Sequence, residues 1–147
     1  MTRELRQWEA LEAEALVREF HDLAQTKTEF SPKRFWDTIY NMELRDALFF
    51  RAMVVDRQVV GVLIGTIAPQ MMTETTVAQE VMWFVREDHR GSADSVRLLR
   101  DFEDWAKKRG ADGIIMASFA AVGDEKLNEF YARRGYDRLE THFLKYL

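Results

Sequence analysis

The segment VMWFVREDHRGSADSVRLL, residues 81–99, constrains the fold more than any other stretch. An apolar run breaks at a charged tetrapeptide, passes through Arg90 and the small residues Gly91, Ser92, Ala93 and Ser95, and becomes periodic again. From Ser92 to Arg109 the apolar residues Val96, Leu99, Phe102 and Ala106 recur at helical spacing, with Leu98 and Trp105 flanking them and Gly110 as a stop. A strand is therefore predicted to feed almost directly into a helix. The first N–H groups of such a helix, and the positive end of its dipole, point into the space at the strand's C-terminal edge. That is an anion site by construction. Small side chains let a phosphate reach the main chain, and Arg90 can add a charge. The Walker pattern is absent, and the spacing differs from the dinucleotide fingerprint.

The rest of the chain places this unit in an α/β domain. Leu11, Ala15, Leu16, Phe20 and Leu23 predict an amphipathic helix from about Ala10 to Gln25. The preceding RELRQW fits either a short strand or the helix's first turns. In SPKRFWDTIYNM, Ser31 can cap, Pro32 suits the first helical position, and Phe35, Ile39 and Met42 share a face. ALFFRAMVV and VVGVLIGTIA, joined across Asp56 to Gln58, read as a hairpin. AQEVMWFV at 78–85 is a further strand and GIIMASFA a buried-type strand. A helix over 124–134, headed by the capping residue Asp124, ends at Gly135, and YDRLETHFLKYL alternates like a strand. The order is helices, a strand meander, then strand, helix and strand, which implies a mixed sheet. Without repeats, linkers or low-complexity tracts, residues 1–147 read as a single domain.

Composition narrows the function. The 21 basic and 25 acidic residues give a formal charge of -4 with no like-charge block, so no nucleic-acid partner is expected. The absence of cysteine removes disulfides, thiolate metal sites and a Cys nucleophile. His21, His89 and His142 show no ligand spacing, so no metal site is expected either. With no secretory signal and no apolar run longer than VVGVLIG, the expectation is a cytoplasmic protein without a membrane partner.

Arg90, Gly91, Ser92, Ala93, Asp94 and Ser95 resemble the Arg/Gln-x-x-Gly-x-Gly/Ala signature of the GCN5-related N-acetyltransferase (GNAT) family, and FYARRGY resembles the Tyr-x-x-x-Gly-aromatic segment that ends the family's fourth helix. The likeness runs from about Leu48 to the end and looks closest to small phage-encoded members. It implies an α/β, GNAT-like fold: a mixed, mostly antiparallel twisted sheet flanked by helices. It also implies acetyl-CoA as acyl-donor cosubstrate, its diphosphate wrapped by residues 90–95, and direct transfer to a primary amine. The later glycines of the family loop are Ala93 and Ser95 here, neither of which readily takes a positive φ. Asp94 adds a carboxylate.

By the same resemblance, a backbone N–H near Val85 stabilises the developing oxyanion and Tyr131 is the acid that assists the departing thiolate. Glu80, on the strand of Val85, is the candidate base acting through water. Strand parity places Glu80 and Val85 on opposite faces unless a bulge intervenes. Trp83 and Phe84 suit the core, and Met71 and Met72 an ordinary loop. The terminal THFLKYL offers a face for a homodimer. The competing reading is a noncatalytic GNAT-fold module that binds CoA or a partner protein.

Overall fold

The computed structural model describes every residue except 5, 7, 8, 25, 26 and 120–123, together with the side chain of Asp124. The described chain forms two compact units, Met1–Ala117 and Ser118–Leu147. The first holds a five-stranded sheet in the order β1 (Thr2–Glu4), β2 (Leu48–Val55), β3 (Gln58–Pro69), β4 (Thr76–Val85) and β5 (Gly113–Ile115). All neighbours are antiparallel except β4 and β5, which run parallel. It also contains α1 (Ala10–Ala24), α2 (Pro32–Leu44) and α3 (Ala93–Lys108). The fold class is thus the expected mixed α/β one. RELRQW resolves as the end of an edge strand, with Leu5, Gln7 and Trp8 outside the described residues.

The β2–β3 hairpin turns on Asp56 and Arg57, at φ 48 and 65. Positive φ at both central positions is the turn whose twist matches that of the strands, reached here without glycine. β3 is central and buried from Val59 to Gly65, so it reads as an unbroken apolar run rather than an alternating one. Phe49 and Phe50, adjacent on β2, must point to opposite faces. Phe49 meets Phe102 of α3 at 5.1 Å between ring centroids, and Phe50 meets Phe35 of α2 at 6.4 Å. Helices therefore cover both faces, with α1 joining α2's side through the 5.8 Å contact of Phe20 with Phe84. A Cβ on Gly65 would stand 2.4 Å from the Phe102 ring, which is why α3 can lie so close.

Local signals behave as their chemistry requires. Ser31 Oγ accepts the Arg34 N–H at 3.2 Å with Pro32 opening α2, and Gly110, at φ 76, follows α3. The buried stripe of α3 is Ser95, Leu98, Leu99, Phe102 and Ala106, so Ser95 takes the inward place expected of Val96. Among the described residues no helix is long and apolar enough to cross a membrane.

Two strand readings need correction. Of GIIMASFA only Gly113–Ile115 pairs, half-buried at the sheet's edge, and Ala120 lies outside the described residues. In the second unit, α4 (Asp124–Arg133) ends before Gly135 at φ 86, but residues 136–147 form no strand. Leu139, Phe143 and Leu144 are exposed there. Alternation alone does not make a strand, because the ladder needs a partner. The capping role read for Asp124 falls on a side chain outside those described.

Candidate active site

Opposite Ile64 and Gly65 on β3 stand Met82 and Glu80, so Val81 is an extra residue on β4 without a cross-strand partner. This bulge resets the parity of the strand. Gly61 and Gly65 share a face of β3, and their partners Val85 and Glu80 therefore share it too. It is the face that carries Phe102. The condition for bringing Glu80 and Val85 to one side is thus met.

The bulge falls where β5 stops following β4. Their parallel pairing ends at Gln79 and Ile115, and continuing that register would set Met116 beside Glu80 and Ala117 beside Val81. Instead the Glu80 carboxylate occupies the divergence. Its Oε2 accepts the Ala117 N–H at 2.8 Å, and the Trp83 main chain donates a second hydrogen bond. Glu80 is buried, and the loss of water pushes its carboxyl up to about 7, against the opposing pull of those two amides.

Beyond Glu80 the alternation of an antiparallel ladder decides where the main chain points. The Arg86 N–H donates to the Val60 carbonyl at 2.9 Å, which makes that pair the hydrogen-bonded one. The neighbouring pair, Gly61 and Val85, is then non-bonded, and the N–H and carbonyl of Val85 face away from β3 toward the splayed edge. The carbonyl receives Arg90 Nε at 2.7 Å, while the Arg90 guanidinium lies 5.5 Å from the Phe84 ring centre. Arg90 thus pins the loop to the strand it leaves, a role its sequence position did not reveal.

After one turn of 3-10 helix at Glu87–His89, Gly91 takes φ 71 with open space where a Cβ would sit. Ser92 caps α3: its Oγ accepts the Ser95 N–H at 3.2 Å, its carbonyl accepts the Val96 N–H, and Ser95 Oγ donates back to that carbonyl at 2.7 Å. The helix's own bonding begins with these contacts, so the amides of residues 91–94 have no intrahelical acceptor. Neither Ala93 nor Ser95 adopts a positive φ. Ala93 opens the helix, and Ser95 turns inward at 4% exposure, so the loop needs only one left-handed residue. The Asp94 carboxylate pairs with the Met1 α-ammonium at 2.7 Å, beside a helix end whose dipole favours it.

A left-handed glycine, unspent amides at a helix start and an adjacent strand edge suit a ligand with a diphosphate and an extended amide-bearing arm. Residues 6–136 match the model of a family described as Acetyltransferase (GNAT) family. The chain belongs to the GNAT family. The match includes α1 and α2, which the sequence motifs left unassigned. No curated protein matches the chain in sequence.

Solved structures share the GNAT fold at low identity. A Trypanosoma brucei acetyltransferase is similar with a TM-score of 0.75 at 18% identity, covering 100% of this chain and 99% of that one. A ribosomal-protein-alanine N-acetyltransferase from Brucella melitensis gives 0.74 at 16%, with 100% and 98% covered. An aminoglycoside acetyltransferase from an uncultured soil sample gives 0.76 at 19%, with 100% and 97% covered.

Within this GNAT chain, the first unit brings Glu80, Val85 and residues 90–95 into one strand, loop and helix. Tyr131 belongs to the second unit. There it is buried in α4, its ring 6.0 Å from Phe130 and 5.4 Å from Tyr136, and its carbonyl accepts the N–H groups of Arg134 and Tyr136. Sequence reasoning missed Trp83 and Ala117 as main-chain partners of Glu80. The only local cue was Gly65, across from the bulge.

Proposed function

We propose that this protein transfers an acetyl group from acetyl-CoA directly to a primary amine. The observation that carries the reading is the Val85 main chain, turned to the splayed edge of β4 and followed by a glycine-opened helix start. When bound, acetyl-CoA supplies the thioester. The amides of residues 91–94 hold the diphosphate, and the Val85 N–H stabilises the charge developing on the acetyl oxygen. An alkylammonium has a pKa of about 10 and must lose a proton before it attacks. Glu80, with its carboxyl near 7, is matched to accept that proton through water. Tyr131 donates a proton to the departing thiolate. The cytoplasm is the proposed location and a homodimer the proposed assembly.

Acetyl-CoA is expected to raise the melting temperature by several degrees at a hundredfold excess over Kd, equivalent to about 2.7 kcal/mol. Gly91→Glu, which forces a side chain into left-handed backbone and adds negative charge, is expected to abolish that shift. An unmoved melting curve at millimolar acetyl-CoA defeats the proposal. Thiol release is then followed over a panel that starts with aminoglycosides and ribosomal-protein alanine, as named for the structural neighbours, and extends to peptide N-termini and polyamines. Tight CoA binding with no release from any amine favours the noncatalytic module. Tyr131→Phe is expected to lower kcat by about a hundredfold with acetyl-CoA binding near normal.

A further inference from the structure

We infer that Glu80 is a positioning residue, a strut whose carboxylate holds a main-chain N–H from β4 and another from the segment leaving β5, and so keeps the donor edge open. This deepens the acetyltransferase reading and rests on it for the role of the edge. The geometry comes from three coincident facts. Parallel pairing stops at Gln79 and Ile115, Glu80 is the next residue on β4, and the bulge at Val81 follows at once. A bulge bends β4 but leaves donors behind. Trp83 sits opposite Leu63, two positions from Val85, so its N–H also faces the splayed edge, and there it meets Glu80. The Ala117 N–H, which lies just past the end of β5, meets Glu80 from the other side at 2.8 Å.

The buried member of this arrangement is the Glu80 carboxylate, and a buried acceptor that takes one N–H from each strand bridges them where their own ladder has stopped. Without this carboxylate between the strands, Met116 and Ala117 can close on β4 and continue the ladder past Ile115. That closure would narrow the splay as far as Val81, at the start of the edge that runs on to Val85. A water-relayed base at Glu80 needs none of this: its loss slows proton transfer and leaves the edge as it was. The two roles therefore separate in binding and exchange measurements.

The test uses the full chain with Glu80→Ala and Glu80→Gln, the second keeping a carbonyl acceptor. Without ligand, amide hydrogen exchange at Trp83 and Ala117 is expected to speed up by about tenfold or more in Glu80→Ala, the loss of one hydrogen bond apiece. Unchanged protection at both amides overturns the strut. With CoA as the probe, calorimetry is expected to show about tenfold weaker binding for Glu80→Ala and substantial recovery in Glu80→Gln. Wild-type CoA affinity in both variants, with turnover lost, also overturns it and leaves Glu80 a base alone. If wild type binds no CoA, the acetyltransferase reading fails, and the exchange result still decides the strut. Should Glu80→Ala not fold, exchange in Glu80→Gln decides: faster exchange than wild type, by less than tenfold, supports the strut, and identical exchange removes it.

Discussion

Glu9 and Glu80 are both buried carboxylates, and their surroundings drive them in opposite directions. Glu9, at the entry to α1, takes both arms of the Arg3 guanidinium, one at 2.7 Å, and the Arg6 N–H at 2.9 Å. The Arg3 hydrogen bond outweighs the loss of water and holds Glu9 below the usual carboxylate range. Glu80 is held by neutral amides, so the loss of water wins and its carboxyl rises to about 7. At Glu9 a counter-ion outweighs the loss of water and the group stays ionised; at Glu80 no counter-ion does, and the group is able to take up a proton. The first arrangement ties β1 to the helix after it; the second stands at the edge where the acyl donor is proposed to lie.

The largest effect is expected from removing the counter-ion. Arg3→Ala leaves Glu9 buried and charged with only the Arg6 N–H against it, and loss of one partner of a buried ion pair is strongly destabilising in proteins generally. The melting temperature is expected to fall on the order of 5 °C or more. The Glu9 carboxyl, followed by NMR titration, should move upward toward the behaviour of Glu80. If neither moves, the difference between the two sites does not lie in the guanidinium.

Next in size is the pH dependence of Glu80 itself. Its folded pKa lies above the unfolded value of 4.5, so the folded state holds the extra proton between them. Its contribution is fully present below 4.5 and is lost as pH rises through 7. The gap corresponds to about 3 kcal/mol at most. Urea denaturation at pH 5 and pH 8 should show this loss in wild type and its absence in Glu80→Gln. A variant with the same slope as wild type would place the titration elsewhere.

Gly65→Ala comes third. The new Cβ would stand 2.4 Å from Phe102, forcing the ring or the strand to move, at a cost of roughly 1–3 kcal/mol. Gly65 is Glu80's cross-strand partner, so a shift there should disturb the titration near 7 and leave that of Glu9 alone. Calorimetry with NMR titration of both carboxyls checks it; equal disturbance of the two would mean that β1 and β4 are coupled through the sheet.

What was legible in the sequence was whatever local chemistry decides. Ser31 and Pro32 start a helix by satisfying or dispensing with its first amides, and Gly110 follows one because it tolerates φ 76. The loop at 90–95 was readable for the same reason, since a strand, small residues and a helix in that order expose amides wherever they occur. The bulge at Val81 was not readable, because valine there fits a regular strand and only the pairing with β3 makes it surplus. The partners of Glu80 are amides of Trp83 and Ala117, which carry no side-chain signal. The tail after Gly135 misled through its alternation, which marks a strand only when an edge is there to receive it.

The smallest effect expected is on the acid side, and it tests whether the two carboxylates act independently. Glu9's folded pKa is depressed, so its contribution is present above 4.5 and is lost as pH falls through its folded value. Glu80's gain on acidification is already complete at 4.5. The two contributions therefore occupy separate windows, and their sum is greatest near the ordinary carboxylate pKa. Other acidic groups titrate alike in wild type and Glu80→Gln, so they cancel in the difference between the two denaturation curves. Between pH 8 and 4.5 that difference should change; below 4.5 it should stay flat, because Glu9 is intact in both. A difference that continues to change toward pH 3 would show that the ion pair at Glu9 senses the proton at Glu80, and the contrast between the two sites would then belong to the sheet that joins them.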